Sequence, residues 1–342
     1  TDWQFRKAIT IDHTKVAGNS NHTDFPVLIS LVSDTDLAAS AQADGDDILF
    51  TLSDKITKID HETEYFDVTT EELTAWAEVP SLSTSTDTVL YMYYGNSGAA
   101  NQENIEGTWN SDYVGVWHLD ETGDGTDGEF NDSTSNDNDG QGGDGDSEET
   151  PSSESGVIRN AQDFDGSNDL IDVPDSASLD LSSEMTLEAW VAKDGNSYFQ
   201  SVMVKTTDIN WNDGYGMYQD ALTDDVFVFK SEYNVSPTGA SIPVDAGIFR
   251  HVVGTYDGTD LKFYLDGVYQ TTSSPVGPIS SNAGALQIGK GPGGANAYVW
   301  DGIIDEVRIS NTARSADWIA TEYDNQNSPS TFFSVGSEEP RI

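Results

Sequence analysis

Six residues in the second half of the chain have the types that hold sugars: Trp211, Asn212, Asp213 and Tyr215 in one stretch, Tyr298 and Trp300 in another. A sugar ring offers flat CH faces to aromatic side chains, and its hydroxyls need amide and carboxylate partners. Tyr218 adds a ring to the first group, and Asn296 and Asp301 add polar neighbours to the second. Each of these aromatic residues has an equally good reading as core filling. Catalysis finds no comparable set. The chain has 5 histidines, none within a nucleophile elbow or an HExxH pattern, and no cysteine for a thiolate nucleophile, a metal site or a disulfide. Acidic residues are so frequent that a chance pair always resembles a glycosidase dyad, which requires two carboxylates about 5–9 Å apart across a cleft. A binding protein and not an enzyme is expected.

The elements that must position these residues are short strands. Phe249 to Gly267 (FRHVVGTYDGTDLKFYLDG) alternates Val252, Gly254 and Tyr256 with more polar neighbours, turns at Asp257-Gly258, and resumes with Leu261, Phe263 and Leu265 before a second turn at Asp266-Gly267. Further strands are expected at 185–191, 200–205, 214–219, 226–230, 286–288, 303–309 and 332–335. After them, Thr312 to Tyr323 has helical spacing, with Ser315 as its N-cap. Before them, 3–11, 25–32, 46–52, 62–68, 73–79 and 88–94 make an all-β first domain without a sustained 3.6-residue period. The Gly- and Asn-rich stretch 95–110 holds the boundary, so the domains expected are 1–108 and 109–342, both β-sandwiches.

Composition limits the partners. The 342 residues include 60 acidic and 15 basic ones, a formal charge of -45. Such a chain has no cationic patch for a phosphate backbone and is repelled by anionic membrane surfaces, and no apolar run of spanning length exists. Neither nucleic acid nor membrane insertion is expected. Hydrophobic content of 36% and aromatic content of 10% are too high for a disordered acidic chain. The charge is spread over both halves, which reads as adaptation to a medium whose salt screens it. The sequence starts at Thr1 without a leader, which reads either as a leader cleaved or as an initiator Met removed, and no anchor follows the final SEEPRI; if this is the whole gene product, placement by assembly with partners is expected.

Several segments carry a resemblance. YVGVWHL at 113–119, FDGSNDLIDV at 164–173, MTLEAWV at 185–191, the HVV strand with its YDG turn and YLDG hairpin, and GIIDEVRI at 302–309 resemble the laminin-G-like, concanavalin A-type jelly roll. The first domain, with WQFRKAITID, FPVLISL, DDILFT, HETEYFD, TAWAEVP and VLYMYYGN, resembles a domain of unknown function (DUF2341-like) that commonly precedes such modules in microbial surface proteins. The resemblance implies two sandwiches, the second a jelly roll closed by one short C-terminal helix. It also implies a structural calcium ion held by Asp305 of IDEV, Asp165 of FDG and one of Asp120 or Glu121; the competing role for Asp305 is a pair with Arg308 or a turn cap. His251 falls where the family has a structural histidine, and the ExDxxE strand of related glycosidases is missing.

Two acidic regions are read as conformational. Between Asp120 and Gly156 lie thirteen acidic residues and no basic one. A solvated, mobile insert is expected there, around a DSTSN turn at 132–136. In the first domain, the Asp44, Asp46 and Asp47 turn and the strand carrying His61 and Glu62 are expected to be a plain turn and a solvated face.

These readings lead to a non-catalytic, cell-surface, extracellular or virion-surface protein that binds glycans or glycosylated proteins in a salty medium. The alternative is a structural subunit of a virion, fibre or appendage that uses both sandwiches for assembly, as a homo-oligomer or within a larger particle.

Overall fold

A computed structural model describes residues 3–340 except 196–198, 221–224, 232–237, 243–246, 276 and 294–297. The chain divides into two compact units, 1–110 with 320–342, and 111–319.

The first unit begins with β1 (Phe5–Ile11), β2 (Phe25–Leu31), β3 (Leu49–Leu52), β4 (Lys58–Ile59), β5 (His61–Asp67), β6 (Glu72–Val79) and β7 (Thr88–Tyr94). Strands β2, β6 and β5 form one antiparallel sheet, and β1, β7, β3 and β4 lie side by side in another. Alternation along β1 sends Ile9 and Ile11 inward, where both are fully buried. The strand expected to be a solvated face is instead buried at its start. His61 is inaccessible and lies edge-on to the Phe50 ring at 5.3 Å, and burial pulls its imidazole down to about 4. Glu62 accepts the Trp109 indole N–H at 2.7 Å. The Asp47 carboxylate behaves as the turn reading expects, accepting the amides of Gln42, Gly95 and Asn96.

The second unit contains β8 (Tyr113–Trp117), β9 (Gln141–Gly142), β10 (Ser152–Ser155), β11 (Asn160–Asp165), β12 (Ile171–Val173), β13 (Met185–Lys193), β14 (Gln200–Lys205), β15 (Tyr215–Gln219), β16 (Asp225–Lys230), β17 (Thr238–Ser241), β18 (Arg250–Tyr256), β19 (Leu261–Leu265), β20 (Val268–Ser273), β21 (Leu286–Ile288) and β22 (Asp301–Ser310). One sheet runs β10-β11-β22-β13-β18-β19-β20, with β8 also on β22; the other runs β17-β16-β15-β14-β21-β12-β9. Leu187, Ala189 and Val252 from the first sheet meet Met203, Met217 and Val228 from the second in one apolar cluster. The two sheets therefore form a sandwich with antiparallel pairing throughout its described strands. The hairpin read from the sequence is β18-β19, turned by Gly258 at φ +88°, with Asp257 accepting the amides of Thr259 and Asp260.

Two expectations need correction. The C-terminal stretch does not finish the second sandwich. The helix Ala316–Asn327 starts with Ser315 capping Trp318, as read, but β23 (Phe333–Val335) and β24 (Glu339–Pro340) both pair with β1 of the first unit. The 109–342 domain thus ends at Ile319. The acidic insert is also built in, not a loose loop. Phe130 is fully buried in the sandwich core, and Glu129 accepts the amides of Asp124, Gly125, Thr126 and Gly142. Asp132 of the DSTSN turn accepts those of Val116, Thr134 and Asn138. The carboxylates that composition reads as solvating are the groups that order the backbone.

Candidate functional site

Three adjacent strands set the geometry of an aromatic surface. In the register of β14, β15 and β16, Ser201 lies opposite Tyr218, which lies opposite Phe227; one row further, Val204, Gly216 and Phe229 are aligned. Successive residues point to opposite faces, and a bulge between Ser201 and Met203 shifts β14 by one residue, so these two rows project away from Met203, Met217 and Val228. They build a second cluster, outside the sandwich core, of Val204, Trp211, Tyr218 and Phe229 with Phe199, Phe227 and Tyr298 packed against it.

The loop before β15 folds Trp211 over this surface. Asp213 accepts from the hydroxyls of Thr206 and Thr207 and from the Thr207 amide, while Asp208 accepts the Asn210 amide at 2.8 Å and the Asn212 side chain at 2.7 Å. Burial acts to raise the Asp213 carboxyl, but the threonine hydrogen bonds outweigh it and hold the group below the usual range. Asp208 is held low by the Asn210 amide first and the Asn212 side chain second. Trp211 then meets Tyr218 edge-on at 4.9 Å, Tyr298 edge-on at 5.6 Å and Phe229 at 5.0 Å; Phe199 meets Tyr298 at 5.9 Å and 85°.

These rings leave a pocket of about 100 Å³ lined by Phe199, Ile209, Asn210, Trp211, Tyr218 and Tyr298. Three of the rings stand on strained backbone: φ is +49° at Phe199, +56° at Trp211 and +62° at Tyr298. Bulky residues rarely occupy this region, and each instance costs about 1–3 kcal/mol and persists only where the surroundings enforce it. Such strain concentrates at binding sites, where it fixes side chains ahead of the ligand. The volume is small against the roughly 300–1,000 Å³ of drug-sized pockets. It fits one ring or a substituent, with ring faces for apolar contact and the Asn210 amide and tyrosine hydroxyls for polar contact.

The six sugar-site residues predicted from the sequence divide. Trp211 and Tyr298 are brought together in the pocket. Asn212 and Asp213 support the loop and do not line it. Tyr215 and Trp300 belong to the sandwich core: Tyr215 is 1% exposed and donates its hydroxyl to the Leu179 carbonyl, and Trp300 is fully buried. Asn296 lies outside the described residues. Sequence reasoning missed Phe199, Ile209 and Asn210 and undervalued Tyr218. Parity was the available signal for Tyr218, because in YGMYQ Tyr215 and Met217 share the inner face and Tyr218 must take the outer one.

Of the residues implied for calcium, Asp165 stands apart from Asp305. Asp165 faces Asp301 across β11 and β22, four residues and about 13 Å of strand from Asp305. Asp305 is fully buried and its Oδ2 accepts the amides of Val157 at 2.7 Å and Ile158 at 3.2 Å, which is the turn-capping role. Glu121 spends Oε1 on the Asn131 amide at 2.9 Å, and the Asp120 carbonyl accepts from Asn160. Burial raises the Glu121 carboxyl. Asp165 and Asp305 thus do not share one calcium ion. His251 is structural, as the resemblance implies: it is 1% exposed, lies 5.0 Å from the Trp190 ring, and burial lowers its imidazole to about 3.

With fold and pocket in place, comparison with known proteins adds two partial matches. Residues 165–320 match the concanavalin A-like lectin/glucanases superfamily. Residues 44–137 match a domain of unknown function, DUF2341, in the order expected. The residues that line the aromatic pocket thus lie within the matched stretch. No curated protein matches the chain. Among solved structures, domain 4 of AbnA, an extracellular arabinanase of Geobacillus stearothermophilus in complex with arabinotriose, is 18% identical, with 62% of this chain and 98% of that one covered at a TM-score of 0.48. The binding domain of Paraclostridial Mosquitocidal Protein 1 is 15% identical over 62% of this chain and 52% of that one, at 0.46. Trypanosoma rangeli sialidase with sialic acid is 15% identical over 78% and 44%, at 0.48. The chain thus spans about half or less of the last two. Concanavalin A-like folds serve both lectins and glucanases, so the superfamily alone does not assign binding over hydrolysis.

Proposed function

We propose that the protein is a non-catalytic glycan-binding protein of a cell or virion surface, and that its sugar site is the aromatic pocket on the outer face of the β14-β15-β16 sheet. The observation that carries the reading is that Phe199, Trp211 and Tyr298, all at positive φ, wall one small pocket away from the core. A folded protein gains nothing in stability from holding three bulky residues there, whereas a preformed stacking surface lowers the ordering cost of binding. The lectin/glucanases match of residues 165–320 supports the ligand class. The charge of -45 supports a salty medium, where the Debye length shrinks to about 3 Å at 1 M salt and repulsion between carboxylates is screened. No described helix is long and apolar enough to cross a membrane.

The test is a glycan array in molar KCl, followed by calorimetry on Asn210→Ala and Tyr298→Ala, two variants at the pocket wall. Binding that falls about tenfold or more in these variants, with melting unchanged, supports the reading. An array without hits, together with a defined symmetric oligomer, favours the structural-subunit reading instead.

A further inference from the structure

We infer that the group the aromatic pocket takes is the acetamido substituent of a neutral N-acetylated sugar, its methyl among the rings and its N–H on the Asn210 side chain. The inference rests on glycan binding at that pocket and names the class of glycan. The pocket is open to a ligand: Trp211 and Tyr218 are buried, Phe199 and Tyr298 are half-buried, Asn210 is exposed and Ile209 is 60% exposed. Rings therefore close its inner end, and Ile209 and Asn210 stand at its mouth. Four rings and one aliphatic side chain leave Asn210 and the tyrosine hydroxyls as its polar contacts among the described residues. A pyranose ring pressed between such walls would hold hydroxyls against carbon without partners. With those hydroxyls it is also bulkier than benzene, which takes an apolar cavity of about 150 Å³, against about 100 Å³ here. The sugar ring therefore stays at the mouth, and a substituent with an apolar end goes in.

Asn210 decides which substituent. Its backbone N–H and its side-chain nitrogen both donate to Asp208 Oδ1, at 2.8 and 3.1 Å. Those two bonds fix the side-chain amide and turn its carbonyl oxygen away from Asp208, as an acceptor that asks for a donor. The Asp208 carboxyl is held low by the Asn210 amide first and the Asn212 side chain second, so it is ionised and disfavours a carboxylate or sulfate on the ligand. A hydroxymethyl group has a donor but no apolar end. A 6-deoxy methyl or a methyl ether has the apolar end but no donor of its own. The acetamido group has both, a methyl for the rings and an N–H for Asn210, and its carbonyl accepts from a tyrosine hydroxyl.

The experiment is the glycan array in molar KCl, followed by calorimetry and saturation-transfer NMR on the best neutral hit and on its analogue with a hydroxyl in place of the acetamido group. The leading hits should carry N-acetylglucosamine, N-acetylgalactosamine or another neutral N-acetylated residue. Wild type should lose about tenfold or more in affinity for the hydroxyl analogue, and the acetyl methyl should take the largest saturation. Asn210→Ala should bind the N-acetylated glycan about tenfold more weakly, show a smaller preference over the hydroxyl analogue, and melt as wild type does. Leading hits without an acetamido group, 6-deoxy sugars included, overturn the inference while leaving glycan binding intact. So do equal affinities for the two analogues, saturation centred on ring protons, or an undiminished preference in Asn210→Ala. If Asn210→Ala does not fold, the wild-type pair and its saturation pattern decide. A wild type that binds no glycan overturns the pocket reading and this inference together.

Discussion

The two outer faces of the second unit are built from opposite materials. On the sheet containing β13 and β22, the face away from the core carries buried charge. Arg308 bonds Glu306 at 2.5 Å and lies 3.5 Å from Glu188, and Glu306 also meets His118 Nδ1 at 2.8 Å, all four nearly inaccessible. On the sheet containing β14, β15 and β16, the same kind of face carries aromatic rings around an open pocket. Buried ions demand one arrangement and give up stability when any partner is removed, so the first face locks structure. Packed rings with a pocket above them offer contact area to something else. The difference separates residues that hold this fold from those that use it.

Four changes sharpen or break that contrast. The largest effect is on the whole chain: with a charge of -45, lowering KCl from molar to millimolar should drop the melting temperature steeply, and a flat melting profile would contradict salt adaptation. Next, Arg308→Met removes the buried cation shared by Glu188 and Glu306 and should cost about 3–5 kcal/mol by denaturant unfolding at fixed salt. A loss under about 1 kcal/mol would mean that the charged face is not the lock.

Third comes acid. Burial alone would raise the Glu306 carboxyl, but the charges and hydrogen bonds of His118 and Arg308 more than compensate, so its folded value is depressed. The unfolded chain then binds the extra proton. Its contribution to stability is complete above the ordinary value of about 4.3 and is lost as pH falls through the lower folded value. Melting followed downward from pH 5 should fall more steeply for wild type than for Glu306→Gln. Parallel curves would refute the assignment. The smallest effect on stability belongs to the aromatic face: Tyr298→Ala, at a partly exposed ring, should change unfolding free energy by less than about 1 kcal/mol while weakening glycan binding. A large loss of stability would make the ring structural and collapse the contrast.

Much of the fold was legible. The β18-β19 hairpin follows from alternation interrupted by Asp-Gly, and Ser315 marks the start of its helix. The return of β23 and β24 to β1 was not, because pairing across more than three hundred residues leaves no local signal. The acidic insert misled for a chemical reason. An aspartate that solvates a loop and one that accepts three backbone amides, as Asp132 does, have the same composition. At the site, Trp211 and Tyr298 were recognisable as chemistry. Tyr215 and Trp300 were indistinguishable from them by residue type, and strand parity separates them: Tyr215 sides with Met217, and Trp300 with the inward Ile304. Phe199 and Asn210 enter through loop conformation, which no periodicity encodes.

The most direct test of glycan recognition at the aromatic face is calorimetric titration of the best array glycan into wild type and Tyr298→Ala in molar KCl. Saturable 1:1 binding by wild type, weakened about tenfold in a variant that melts at the same temperature, is the predicted result. Equal affinity in both proteins would contradict it and place any sugar site elsewhere on the chain.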